Sequence, residues 1–180
     1  MGLCETDSDL SCGDPGRLRS NYHPAMASLS GRLANLMSTR FPGLGRKATL
    51  RQIEQFRSSN GTKGNKLLGK AVFLLDVVGR KSGEPRPVML MLAHRGDDLI
   101  VVGSNGGNPQ TPNWYRNLAA AGGGHVELAG ERWAVDWREL DDGSERDDCW
   151  ALACAAYPDF ASYQELTDRK IPVALLSRKA

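Results

Sequence analysis

The sequence predicts an α+β protein, mainly β, in which an antiparallel sheet or barrel carries flanking helices. Three observations lead there. Apolar or β-branched runs at 71–78, 87–94 and 99–103 are joined by turn-forming segments, with Arg95-Gly96-Asp97-Asp98 a hairpin loop. A second pair of strands, 125–128 and 133–137, turns around Ala129-Gly130-Glu131, and the later strand alternates Trp133, Val135 and Trp137 on one face. Helical stretches fall between the strands irregularly, so regular βαβ units and a doubly wound sheet are not expected.

Taken in order, residues 1–22 are acidic and polar without periodicity and read as a disordered tail. Residues 23–47 form an amphipathic segment: Met26, Leu29, Leu33, Leu36 and Met37 lie on one helical stripe that stops before Phe41-Pro42-Gly43. That helix packs on the domain or, with its arginines and Lys47, lies on an anionic membrane surface through residues 24–47. The folded domain spans 48–180. It opens with a helix at 49–58, capped by Thr49 and ended by Asn60-Gly61. After the first three strands a helix covers 111–121 and stops at Gly122-Gly123-Gly124. Ser144 caps a helix running to about Ala156, a shorter one follows Pro158, and 172–177 is a closing strand.

At 180 residues and 41% hydrophobic composition, the chain suits one domain plus a tail. Its net charge of +2 is unevenly spread: residues 16–81 carry a net +11 and residues 84–180 a net −5. The basic part therefore faces something acidic or simply solvent. Nucleic acid is not expected, because that part holds few aromatics and matches no nucleic-acid module. Cysteines at 4, 12, 149 and 154 form no C-x-x-C, and histidines at 23, 94 and 125 are scattered, so neither a metal site nor a disulfide scaffold is expected. Cys149 and Cys154 fall in a helical pattern, where a free thiol packs as a small hydrophobe. No run is apolar enough to span a membrane and the first residues lack signal-peptide order, which points to the cytoplasm.

The stretch VVGRKSGEPR, 77–86, concentrates chemistry. Arg80, Lys81 and Arg86 are fixed cations, Ser82 adds a hydroxyl donor, and Gly79 and Gly83 can take positive φ and expose backbone N–H groups. Such a turn can converge donors on phosphate or carboxylate oxygens, although the same composition also suits a solvated hairpin with a basic tip. Neither nucleotide-binding glycine fingerprint fits it.

Three blocks in register resemble the deazaflavin-dependent nitroreductase and quinone reductase family, which uses reduced coenzyme F420 on an FMN-binding-type split β-barrel: VVGRKSGEPR, VVGSNGGNPQTPNWYRNL (101–118) and YPDFASYQELTDRKIPV (157–173). The segment FRSSNG, 56–61, is similar to what precedes the first strand in that family, and the likeness covers roughly 49–176. It implies that Arg80, Lys81, Ser82 and Arg86 hold the phosphodiester and polyglutamate tail of F420. It further implies that Ser104, Asn105, Gly106 and Gly107 cradle the deazaflavin while Trp114 and Asn117 close over it. Tyr157, Phe160, Tyr163 and Met91 would wall the acceptor, with Ser104, Tyr157 and Tyr163 donating to the nascent oxyanion. Several relatives carry tyrosine at the positions of Phe160 and Met91, so this pocket is the less polar one. Val78 and Met89, where relatives have Thr and Pro, are packing changes.

The expected activity is hydride transfer from reduced F420 to a quinone-like, nitroaromatic or activated-alkene acceptor, a small molecule, with no side-chain nucleophile or metal required. A non-catalytic F420- or lipid-binding barrel and an FMN-dependent relative are the alternatives. Related barrels often dimerise, so a homodimer is expected by analogy.

Overall fold

The computed structural model describes residues 42–180. The expected tail and the helix begun at Pro24 lie outside the described residues, as does nearly all of the proposed membrane-contacting segment. Among the described residues no helix is long and apolar enough to cross a membrane.

Strand β2 (Lys70–Val78) organises the sheet. It pairs with β1 (Lys66–Leu67) at its start and with β6 (Gly123–Leu128) further on, while β3 (Pro85–Met91) runs along its whole length on the other side. From β6 the sheet continues through β7 (Glu131–Glu139), β8 (Val173–Arg178) and β5 (Asp98–Val102) to β4 (His94–Arg95), every pairing antiparallel. The run expected as one strand at 87–94 is broken. Leu92 N–H donates to Ala71 at 2.9 Å and Ile100 N–H to Ala93 at 2.8 Å, so the chain changes partner at this corner and the sheet curls into a split barrel.

Period-2 alternation sorts the core into two layers. Leu99, Val101, Ala174 and Leu176 face the barrel interior with Phe73, Leu75, Val77 and Leu118. Their neighbours Ile100, Val102, Val173 and Leu175 face outward, under Cys149, Ala153, Tyr157, Phe160 and Tyr163 of the helical layer. Strand β5 is buried on both faces, which is why its sequence is an unbroken apolar run. Each fully buried apolar side chain contributes about 1.5–3 kcal/mol.

Helix α1 (Pro42–Ser58) begins at Pro42, so Thr49 is interior to it and not its cap; proline is accepted in a first turn, where the N–H has no helical partner. Ile53 and Phe56 of α1 pack on Leu74 and Met89. Arg57 then bridges Asp76 at 2.6 Å and Glu127 at 3.1 Å, and Arg132 of β7 reaches the same two carboxylates, stitching the helix to β2, β6 and β7. Helix α2 (Asn113–Ala121) follows a short 3-10 turn (Asn105–Gly107), and Gly122 closes it in the left-handed conformation, φ 67°. Helices α3 (Ser144–Ala156) and α4 (Asp159–Glu165) cover the outer layer. Ser144 is the first residue of α3 and makes no cap; Gly143, at φ 154°, precedes it. Cys149 and Cys154 are buried, and among the described residues neither is in a disulfide, as expected.

Candidate functional site

Two cavities adjoin, and among the described residues Trp114 alone lines both. The first, about 540 Å³, is walled by Arg80, Lys81, Ser82 and Arg86 of the β2–β3 turn and by Asn113 and Asn117 of α2. The turn is self-contained: Gly79 N–H donates to Glu84 at 2.8 Å and Gly83 N–H to Gly79 at 2.8 Å. The Gly79, Ser82 and Gly83 N–H groups are thus spent within the turn, so the charged donors offered to a ligand come from side chains. Gly83 takes φ 70°, whereas Gly79 does not have positive φ; a Cβ there would sit 2.7 Å from Ser82 Oγ, and that close approach is why glycine fits.

The three cations are not equivalent. Arg80 donates from Nη1 to Asn117 Oδ1 at 2.8 Å and from Nη2 to Asn113 Oδ1 at 3.4 Å, which ties the turn to α2. Asn117, buried, also accepts from the Arg80 backbone N–H. Lys81 is exposed with no hydrogen-bond or ion-pair partner among the described residues, and Arg86 makes one long contact, 3.4 Å, to Ser82 Oγ. The last two are therefore the charges free to meet an anion.

The second cavity, about 400 Å³, is largely apolar. Strand β3 carries on into it with Met89, Leu90 and Met91, and Val101, Val102, Ser104, Asn105 and Gly106 follow from β5 and the turn after it. Tyr157, Phe160 and Tyr163 complete the wall. Their spacing of three places them together on and beside α4: Tyr157 and Phe160 meet edge to face at 5.1 Å between centroids, and the Tyr157 and Tyr163 hydroxyls are 3.2 Å apart. Burial pushes both phenols above their ordinary pKa, and for Tyr157 the bond to Tyr163 adds to the rise.

The loop after β5 is shaped by three consecutive left-handed residues, Asn105 (φ 50°), Gly106 (φ 61°) and Gly107 (φ 81°). Ser104 and Gly106 face the cavity, and Asn105 braces the loop through Nδ2 to Gln110 O at 2.8 Å. Gly107 does not line the cavity. It is buried against α4, where a Cβ would lie 2.8 Å from Leu166 Cβ and 2.9 Å from Tyr163 O. Tyr115 is a core residue under the barrel and Trp114 a cavity wall, a division produced by the rotation of about 100° between adjacent helical positions.

Three parts of the site had no sequence expectation. Leu67 and Leu68, at the β1–β2 turn, reach the apolar cavity; Leu68 stands at φ 51° beside Gly69 at φ 76°. The only signal was the short L-L-G between lysines. The Arg80–Asn117 bond joins positions 37 apart in sequence. Arg169, in the segment between α4 and β8, hydrogen-bonds the loop after β5.

A split barrel with a cation-lined cavity opening beside an apolar, aromatic-walled one suits an oxidoreductase whose reactive group is a bound anionic cofactor. The family model for F420H(2)-dependent quinone reductase matches residues 49–178. An F420H(2)-dependent quinone reductase of Mycobacterium tuberculosis is 31% identical over 129 residues, 69% of this chain and 85% of that relative. Among solved structures, an F420-H2 dependent reductase is similar at 38% identity with a TM-score of 0.55, covering 59% of this chain and 93% of the other. A structure described as a domain-swapped dimer is similar at 36% identity with a TM-score of 0.58, covering 71% and 95%. The chain belongs to the F420H(2)-dependent quinone reductase family. Its cofactor is coenzyme F420 and it passes hydride to quinone-like acceptors, so the enzymatic reading stands over the non-catalytic and FMN-dependent alternatives.

Proposed function

We propose that the anionic tail of F420 lies in the cavity of Arg80, Lys81, Ser82 and Arg86, with its ring between Trp114 and the loop of Ser104, Asn105 and Gly106. The acceptor then packs on Met91, Tyr157, Phe160 and Tyr163. The observation that carries this reading is the single wall, Trp114, joining a cationic cavity to an apolar one. The donor set suits the cofactor: guanidinium, ammonium, hydroxyl and amide groups match phosphodiester and carboxylate oxygens, and the apolar walls match a flat ring. Bound and reduced, F420 supplies the hydride.

The protein's own residues supply placement and a proton. Tyr157 and Tyr163 share one hydrogen bond, so one hydroxyl of the pair keeps its proton for an outside acceptor. A quinone carbonyl that takes up hydride leaves an oxyanion, and a neutral phenol beside it can donate to that oxygen. Their raised pKa values keep both phenols protonated through neutral pH. The apolar side chains of Met89, Leu90, Val101 and Val102 lower the local dielectric and so strengthen that bond. With Met91 and Phe160 lacking hydroxyls, acceptor selection rests on shape and apolar contact.

The double variant Tyr157→Phe/Tyr163→Phe is expected to lower kcat with a quinone by about tenfold or more, with F420 affinity unchanged. The wild-type rate should show no tyrosine-dependent break between about pH 6 and about pH 9. A kcat within about twofold of wild type would place proton donation elsewhere. Likeness to the structure described as a domain-swapped dimer supports a homodimer here. Sedimentation at micromolar concentration is expected to give twice the chain mass, and a monomer would refute the assembly.

A further inference from the structure

We propose that Arg169 is a positioning residue that clamps the 103–108 loop to the acceptor side of the site, so that F420 affinity and the alignment of donor with acceptor both depend on it. The inference rests on the reading above, in which this loop meets the cofactor.

The guanidinium grips both ends of the loop at once. Its Nη2 donates to Gly103 O at 3.0 Å and Ser104 O at 2.7 Å, and its Nε donates to Asn108 O at 2.9 Å. Only a planar fork reaches three carbonyls arranged in this way; an ammonium is a single point. The loop gains from such an external hold, because Asn105 bears the backbone cost of φ 50° and the two glycines after it, at φ 61° and 81°, have other conformations open to them.

Arg169 is in turn fixed from α4 and α3. Gln164 Nε2 donates to Arg169 O at 2.9 Å and to Thr167 O at 3.3 Å, and its Oε1 accepts from Ile171 N–H at 2.9 Å. Buried Arg146 donates to Ile171 O at 2.8 Å from α3. On the opposite side of the loop, Gly107 presses on Leu166 and on the carbonyl of Tyr163. The segment that walls the acceptor and the loop proposed to hold the donor are therefore bolted together at two points, and Arg169 is the polar one. It touches neither reactant cavity lining as a wall, which is why its role is positional.

The test uses the full-length chain as wild type, Arg169→Ala, Arg169→Lys and Gly107→Ala, each titrated with F420 by fluorescence, melted, and assayed with a soluble quinone. Both Arg169 variants are expected to bind F420 about tenfold more weakly or worse and to lose kcat, because lysine cannot span three carbonyls. Low concentrations of guanidinium ion should restore part of the affinity of Arg169→Ala, a rescue that a merely destabilised fold would not show. Gly107→Ala, which forces a Cβ into Leu166 at φ 81°, should weaken F420 binding by moving the same loop. If Gly107→Ala weakens binding while both Arg169 variants bind as wild type, the clamp is refuted and the loop assignment survives. If none of the three changes affinity, the loop does not meet F420 and both ideas fall. Weakening confined to Arg169→Ala, without rescue and with a collapsed melting temperature, refutes positioning in favour of general stability.

Discussion

Lys81→Ala/Arg86→Ala is expected to raise the Kd for F420 about a hundredfold, roughly 2.7 kcal/mol, with the melting temperature unchanged. Each charge-assisted hydrogen bond to phosphate or carboxylate contributes roughly 1.5–3 kcal/mol, reduced here by screening because both side chains are exposed. Folding should be indifferent, since Lys81 has no partner among the described residues and Arg86 only the long contact to Ser82. Arg80→Ala provides the contrast: it removes the bond to buried Asn117 as well, so it should lower both affinity and melting temperature. Rising salt should weaken the wild type more steeply than the double variant. Fluorescence titration with F420 at two ionic strengths decides the matter, and an unchanged Kd would reduce the turn to a solvated hairpin tip.

Gly123→Ala should be the most damaging single methyl in the fold. A Cβ there would lie 2.1 Å from the backbone oxygen of Val135, inside the β6–β7 ladder at the Gly123–Asp136 pair. Nothing flexible can yield, so the ladder must open, and the cost should reach about 3 kcal/mol or more, lowering the melting temperature by roughly 10 °C. Gly122→Ala, one residue earlier, meets nothing within 4 Å and bears only the cost of φ 67°, about 1 kcal/mol. Thermal melts of the two variants separate these causes; equal melting points would show that the strands part more easily than their spacing suggests.

That pair also shows how far residues alone disclose structure. The triple glycine reads from sequence as a helix terminator, and Gly122 is one. Gly123 and Gly124 are glycine because Val135 O and Asp76 O approach across strands, a fact of tertiary spacing that no local pattern contains. The same division runs through the site. Strands β2, β5, β7 and β8, helix α2 and the aromatic trio of the third block were legible because period-2 and period-3.6 spacing express burial directly. Strand β1 was not, since two exposed residues held by a turn carry no periodicity. The cations of the β2–β3 turn were visible as charges, but which of them is committed to Asn117 and which is free depends on where α2 packs. Arg169 looked like one charge in a polar connector, and only its proximity to the carbonyls of the loop after β5 gives it a role. Helix α1 starts seven residues before the expected Thr49, because Pro42, which ends the preceding helical stripe in the sequence, is itself a first-turn residue.

The partition of the two cavities by Trp114 bears on how such an enzyme diversifies. On the proposed assignment, one compartment holds the anionic tail of a metabolite of fixed structure, and the other holds its ring beside whatever the cell needs reduced. Because they share a single side chain, drift at Met91, Phe160 or Leu68 explores new acceptors without renegotiating the donor. A lineage can change its chemistry's target while inheriting its reductant intact, and an engineer can follow the same route by randomising one wall and leaving the other alone.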